Sequence, residues 1–265
     1  MAKNTPPHFF DITSTLPGAS QSWSPNTMRT RMVLNYKRIR YTQSFVSYPD
    51  IAPLLSHLAV QPHAQGMPYT LPAIVHPSVS SNPNGALMDS LAIAAHLDQT
   101  YPSPPLFPAG DASYALTLAV ARLVSKVVAQ CGPLVIPNVA DLLDPRGREY
   151  FIKTRSARFG RPLSEVRPRD KNELRAMIDA AKAEFVPIAQ MLLGRLGKKG
   201  PFFEGERPSY ADFLVVSLLA WFERADRPLF EEFAALGDGA VRALWEACLP
   251  WVNGQGEEKE WPVPR

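Results

Sequence analysis

Cysteine is scarce in this chain: Cys131 and Cys248 alone occur in 265 residues, far apart and each set in apolar sequence. With no Cys-x-x-Cys or Cys/His spacing, a disulfide framework, a zinc ribbon and a paired-thiol redox centre are excluded, and two buried free thiols are the simpler reading. A charge of one sign is missing too. Lys and Arg number 28 against 25 Asp and Glu, a balance of +3, which is too small for the footprint of a nucleic-acid-binding chain. No run reaches the ~18 uninterrupted apolar residues of a membrane span, and "MAKNTPPHFF" lacks an apolar stretch with a small-residue cleavage site. The expectation is a soluble, cytoplasmic protein with neither nucleic acid nor membrane as partner. Internal repeats and low-complexity tracts are absent. So is Gly-x-Ser-x-Gly, which excludes a nucleophile elbow, and His57, His63, His76 and His96 show no tight ligand spacing, so no metal is expected.

Proline, in contrast, is abundant at 27 residues, which points to many loops and helix starts. The length suits two packed domains, or one large one with a sizeable core. "HFFDI" and its next residue, 8–13, read as a strand. Residues 25–37 read as a helix with Pro25 at its first position, and "YTQSFV", 41–46, as a second strand. This βαβ opening is followed by a short helix in "PDIAPLLSHLA" and a strand in "LPAIV". A hairpin of "SVSS" with "ALM" is then expected through the Asn84-Gly85 turn. "DSLAIAAHLDQTYP" has apolar residues at helical spacing. The proline-rich "YPSPPLFPAGD", 101–111, cannot continue a helix and reads as an interdomain linker.

Everything beyond the linker reads as helical. Leu116, Val120, Leu123, Val127 and Cys131 step by three or four along one apolar face. A second amphipathic segment runs from about Asp170 to Leu196, with Pro187 expected to kink or break it. Ser209 and Asp212 form a capping-box pattern before the apolar "YADFLVVSLLAWFERA", whose place is the centre of the second domain. "DPRGREYFIKTRSARFGRPLSEVRPRDK" is rich in Arg and Lys; a solvated segment covering the core with arginine stems explains it more simply than a phosphate track.

Three local patterns carry chemistry. In Leu71-Pro72 a proline precedes a strand, where it removes a ladder donor. A cis bond would turn the Leu71 backbone outward to meet an extended peptide, whereas an ordinary trans proline at an edge would do nothing of the kind. Asp89-Ser90 precedes a helix, where an anion or a simple side-chain cap is equally at home. Ser24 stands just before Pro25, so its hydroxyl can cap the helix or donate to an anion held at the same N-terminus, with Asn26 and Ser22 as further donors.

Together these features resemble the cytosolic glutathione transferases over nearly the whole chain. Within them, "SWSPNTMRTRMVLNYKRIRYT", "YPDIAP" and "DPRGREYFIKTRSARFGRPL" are similar to the fungal etherase-related class, itself similar to bacterial lignin β-etherases. The resemblance implies an α/β thioredoxin-like domain over 1–104 that binds glutathione, and an all-α domain over 105–265 with a hydrophobic substrate pocket. Leu71 and Pro72 would hold the cysteinyl part of glutathione, Asp89 and Ser90 the γ-glutamyl end, and His63 and Gln65 the glycyl carboxylate. Ser24, with Asn26 and Ser22 as alternatives, would stabilise the thiolate and not attack anything itself. A serine there argues against the thiol-exchanging members. Tyr114, Trp221 and Phe222 could line the electrophile pocket, although spacing alone assigns them to the core.

The implied activity is glutathione-dependent attack on hydrophobic or aromatic electrophiles, a detoxification chemistry that extends to ether cleavage of lignin-like aromatics. Glutathione is the co-substrate, aromatic small molecules are the other partners, and a homodimer is expected. Two rival readings remain: a ligandin-type carrier of aromatics with little turnover, and a partner-binding domain that uses the fold as a scaffold. Met28, where relatives often have Trp, and the long "TSTLPGASQSW" loop depart from the family pattern.

Overall fold

The computed structural model describes residues 5–194 and 198–264. The chain divides into two compact units. The first contains the chain up to Pro105, Leu143–Tyr150 and the tail from Trp251; the second contains Leu106–Leu142 and Phe151–Pro250.

In the first unit β1 (His8–Ile12), β2 (Thr42–Val46), β3 (Ala73–Val75), β4 (Ala86–Met88) and β5 (Glu257–Glu258) form one sheet in the order β4-β3-β1-β2-β5. Every residue of β1 is buried, as suits a central strand covered on both faces. Helix α1 (Pro25–Tyr36) carries the parallel crossover from β1 to β2. After α2 (Ile51–His57), β3 runs antiparallel to β1, with Ala73 opposite Phe10, and β4 antiparallel to β3, with Met88 opposite Ala73. Helix α3 (Ser90–Thr100) closes the motif and packs against α1, β3 and β4.

Two sequence expectations are corrected here. The partner of "ALM" is Ala73–Val75 and not "SVSS", because Asn82 closes the connection: its side-chain oxygen accepts the N–H groups of Asn84 and Ala86. The first unit is also not built from the first 104 residues alone, since Leu143–Tyr150 and the tail from Trp251 join it. The tail adds β5 parallel to the edge of β2, and Trp261 packs over His8 and Phe10 with ring centroids 4.5 and 5.2 Å away. Lys37, at the end of α1, bridges Asp98 at 2.6 Å and donates to the carbonyls of Tyr101 and Pro104.

The second unit is helical. Helix α4 (Asp111–Val139) packs against α6 (Lys171–Leu193) and α7 (Tyr210–Ala225). The α4 stripe that is buried runs through Ser113, Thr117, Val120, Val124, Val127 and Cys131, so Thr117 and Val124 take inward places that apolar spacing alone gives to Leu116 and Leu123. The segment Asp111–Leu142 is long and apolar enough by mean hydropathy to cross a bilayer, although polar residues interrupt it. Its buried stripe against α6 and α7 accounts for that composition. Pro187 lies inside α6 without ending it, and the expected end of this segment at Leu196 lies outside the described residues.

The basic segment forms α5 (Pro145–Phe159), where the Arg155 guanidinium lies 4.6 Å from the centre of the buried Phe151 ring. Helix α7 is buried from Tyr210 to Phe222. Asp212 anchors its start, accepting from the backbone N–H groups of Ser209 and Phe203 and from the Ser209 hydroxyl. Helices α8 (Arg227–Ala234) and α9 (Ala240–Asn253) follow.

Candidate active site

The antiparallel register gathers the three chemical patterns at one end of the sheet. Ala73 lies opposite both Phe10 and Met88, so the start of β3 meets the ends of β1 and β4. Leu71-Pro72 therefore stands beside the end of β1, and Asp89-Ser90 leaves β4 at the same edge. The loop after β1 turns back to that edge too: Ser22 donates to Asp11 at 2.9 Å and the Trp23 indole N–H to the Thr13 carbonyl at 3.4 Å. Ser24 and the N-terminus of α1 follow directly.

Ser24 occupies the N-cap position of α1 with extended backbone, and its carbonyl accepts the first helical bond, from Met28, at 2.9 Å. Its hydroxyl does not cap the helix, contrary to one of the two roles open to it in sequence, and among the described residues it has no hydrogen-bond partner. Ser24 is 4% exposed. Pro25 at the next position contributes no N–H, so the first turn presents Asn26 and Thr27 N–H groups and the positive end of the helix dipole without a side-chain cap.

The other two donors separate clearly. Ser22 is fully buried and its hydroxyl is engaged by Asp11, whereas the Asn26 side chain is exposed. Asp11 in turn forms a fully buried ion pair with Arg31 at 2.8 Å. Arg31 also donates to Tyr41, Gln43, the Gly254 carbonyl and Gln255. This network, which sequence spacing alone does not reveal, ties the Ser22 turn to β1, α1, β2 and the tail.

The Leu71-Pro72 bond is cis. Because the strand register with β1 and β4 begins at Ala73, Leu71 lies outside the ladder. Asp89 caps α3, its side chain accepting from Leu91 N at 2.9 Å and Ala92 N at 3.1 Å, and it does so at φ +85°, a conformation that L-residues adopt at a cost. The turn is held in this form where α3 opens, with Ser90 buried beside it. His63 and Gln65 sit in an exposed loop closed by the His63 N–H to Pro68 carbonyl bond. The same loop is tied to β4 by the Thr70 N–H, which reaches the Met88 sulfur at 3.3 Å.

The three aromatic candidates differ in access. Phe222 has no exposed surface and packs edge-on against Phe233 at 4.9 Å, and Trp221 is 5% exposed. Both belong to the stretch of α7 that is buried on every side, Tyr210 to Phe222. Tyr114, on the outer face of α4, is 43% exposed. Among the histidines, His76 and His96 meet at 2.9 Å with Ser78 and Tyr101 hydrogen-bonded to His76, and burial lowers the pKa of both rings. No group of three or more His, Cys, Asp or Glu able to hold a metal occurs among the described residues.

Comparison with known proteins agrees with this architecture. The family model described as "Glutathione S-transferase, N-terminal domain" matches residues 22–105, and "Glutathione S-transferase, C-terminal domain" matches residues 115–251. The glutathione S-transferase-like protein ustS of Aspergillus flavus is 57% identical over 267 residues, covering 99% of this chain and 97% of that protein. Among solved structures, a glutathione S-transferase of Ceriporiopsis subvermispora in complex with glutathione is 31% identical with a TM-score of 0.80, covering 93% of this chain and 98% of that one. Glutathione transferase GSTFuA3 of Phanerochaete chrysosporium is 29% identical with the same TM-score, over 93% and 97% of the two chains. With a thioredoxin-like unit, a helical unit and both halves matched, the chain belongs to the glutathione S-transferase family.

Proposed function

We propose that the first unit binds glutathione at the sheet edge shared by Ser24, Leu71-Pro72 and Asp89-Ser90, and that Ser24 donates its hydroxyl hydrogen bond to the glutathione thiolate. The observation that carries this reading is the contrast within one turn: Ser22 is committed to Asp11, while the Ser24 hydroxyl beside it has no partner among the described residues. A thiol with a reference pKa of ~8.5 needs ~1.4 kcal/mol of preferential thiolate stabilisation per unit of depression, and one charge-assisted hydrogen bond supplies about 1.5–3 kcal/mol. The uncapped α1 N-terminus adds to it.

Leu71, outside the ladder, offers its backbone N–H and C=O to the cysteinyl part as a neighbouring strand would. Asp89 faces the glutamyl ammonium and Ser90 donates to its carboxylate, while His63 and Gln65 take the glycyl carboxylate. Asp89 keeps its capping bonds in doing so, since a carboxylate has about four acceptor sites. The thiolate then forms a carbon–sulfur bond to a hydrophobic electrophile, and the leaving group departs with the electron pair of the bond that breaks; addition to an activated double bond is the alternative course. The resemblance to the etherase-related class makes aryl ethers the first substrates to try. Tyr114 is the aromatic with surface to offer such a ligand.

The test is thiolate absorbance near 240 nm of bound glutathione against pH, in wild type and Ser24→Ala, with turnover on activated aromatic electrophiles in parallel. A depressed thiol pKa in wild type that returns toward the free value in the variant is expected. Depression that survives Ser24→Ala moves the role to Asn26 or the helix N-terminus, and tight aromatic binding without turnover favours a carrier.

A further inference from the structure

We infer that the C-terminal tail positions the thiolate donor from a distance, with Gln255 and Ser22 as positioning residues at the two ends of a buried hydrogen-bond chain. The inference rests on the proposed role of Ser24. Gln255 Oε1 accepts from Arg31 Nη1 at 2.9 Å, Arg31 Nη2 donates to Asp11 Oδ2 at 2.8 Å, and the same oxygen accepts from Ser22 Oγ at 2.9 Å. Ser22 stands two residues before Ser24. No link in the chain exceeds 2.9 Å, and Arg31, Asp11 and Ser22 are fully buried.

The tail is fitted to this task. Glu257 N donates to the Tyr41 carbonyl at 3.1 Å and Lys259 N to the Gln43 carbonyl at 2.9 Å, which sets its register. Asn35 fixes its start through the Trp251 and Gly254 carbonyls. Gly254 and Gly256 pass so close beneath α1 and β2 that an added Cβ would meet the Asn35 side chain at 2.5 Å and the Tyr41 ring at 2.4 Å. Gln255, although its residue is exposed, turns its amide inward to both Arg31 and Gln43.

A buried guanidinium cannot leave its donors unmatched cheaply. The Arg31 Nε already lacks a partner among the described residues, so Nη1 relies on Tyr41, Gln43 and the tail. Withdrawing the tail obliges Arg31 to re-aim or admit water. Asp11 follows, because Oδ2 serves Arg31 and Ser22 together, and the turn that aims Ser24 loosens. A misplacement of about 1 Å in a positioning group can cost on the order of a hundredfold in rate.

The experiment uses the full chain with Gln255→Ala, Gln255→Glu, Gly256→Ala and Ser22→Ala. It reads the bound-thiol pKa, the Kd of S-methylglutathione, which has no thiol to ionise, and Tm. The thiol pKa in Gln255→Ala, Gly256→Ala and Ser22→Ala is expected to rise by ~0.5–1 unit, equivalent to roughly three- to tenfold less thiolate at a pH below the pKa. S-methylglutathione affinity should stay within about twofold, and Gln255→Glu, which keeps the acceptor, should retain the wild-type pKa. A merely structural tail would lower Tm and leave the thiol pKa unchanged; wild-type values in both Gln255→Ala and Gly256→Ala overturn the inference. No depression in wild type itself would instead overturn the Ser24 reading on which it rests.

Discussion

Asp212 accepts the Ser209 backbone N–H at 2.7 Å and its hydroxyl at 2.9 Å, and on its other oxygen the Phe203 N–H at 2.9 Å, with Asp212 and Ser209 both fully buried. Asp212→Ala leaves three donors unmatched beneath the central helix of the second unit. The expected loss is about 2–6 kcal/mol, because each of the two fully buried Ser209 donors costs about 1–3 kcal/mol when left unsatisfied, while Ser209→Ala should cost only about 1 kcal/mol as the loss of a cap. Urea midpoints of the two variants, at equal m-value, check the ordering.

The Asp11–Arg31 pair makes a second stability prediction. Arg31→Met strands a buried carboxylate, and removing one partner of such a pair typically costs about 3–5 kcal/mol. The double variant Asp11→Leu/Arg31→Met should lose less than Arg31→Met alone, since no charge is then left unpaired. A double-mutant cycle by denaturant unfolding measures this directly, and simple addition of the two single losses would contradict it.

Acid should weaken the first unit through His8. Burial first, and then the Lys259 ammonium, lower the pKa of this ring to about 4. The unfolded chain, with a histidine pKa near ~6.5, binds a proton that the folded chain refuses between those values. His8 therefore gives its full contribution above pH ~6.5, and this is lost progressively as the pH falls towards about 4. Unfolding midpoints at pH 7.5 and 5 should differ less in His8→Gln than in the wild type.

Asp89 offers a test of capping against backbone geometry. Asp89→Ala removes two cap bonds and leaves a Cβ at φ +85°, at an expected cost of about 1–2 kcal/mol. Asp89→Gly should cost less despite the same lost cap, because glycine adopts positive φ freely. Asp89→Asn retains an acceptor and should cost least. Followed by glutathione affinity, Asp89→Asn, which keeps a cap acceptor and loses the charge, should bind more weakly than the wild type, and wild-type affinity in this variant would show that the carboxylate charge has no part in binding.

Thiol labelling provides a direct probe of the core. Burial pushes Cys131 up to about 12 and Cys248 well above the ordinary thiol range, and reactivity follows thiolate content and access. Neither should react with a disulfide reagent at pH 8 in the native chain within minutes, and both should react in 6 M guanidinium. Rapid native reaction of one thiol would show that its helix opens locally.

Legibility in the sequence followed range. Pro25, the Asn84-Gly85 turn, Ser209 with Asp212 and the helix periodicities act within a few residues, so the order of elements was readable from them. The pairing of β4 with β3 and not with "SVSS" was not readable, because Asn82 acts through side-chain bonds that composition does not encode. Thr117 and Val124 displaced Leu116 and Leu123 from the inward stripe of α4 since a long helix meets two neighbours at once. Ser24, Leu71, Pro72, Asp89 and Ser90 were visible as motifs. The Asp11–Arg31–Gln255 chain was not, since it joins residues 20 and 224 positions apart. No local pattern marks "GQGEEKEW" as part of the first unit.

That tail has a consequence for biosynthesis. The N-terminal unit needs Gly254 and Gln255 to satisfy Arg31, and Glu257–Glu258 to complete the sheet. At about 5–20 residues per second, the ribosome releases those groups roughly ten to thirty seconds after the first four strands have been made. Through that interval the nascent sheet carries a bare edge and an under-coordinated arginine, so residues made after the helical unit complete the unit whose first strands were made before it.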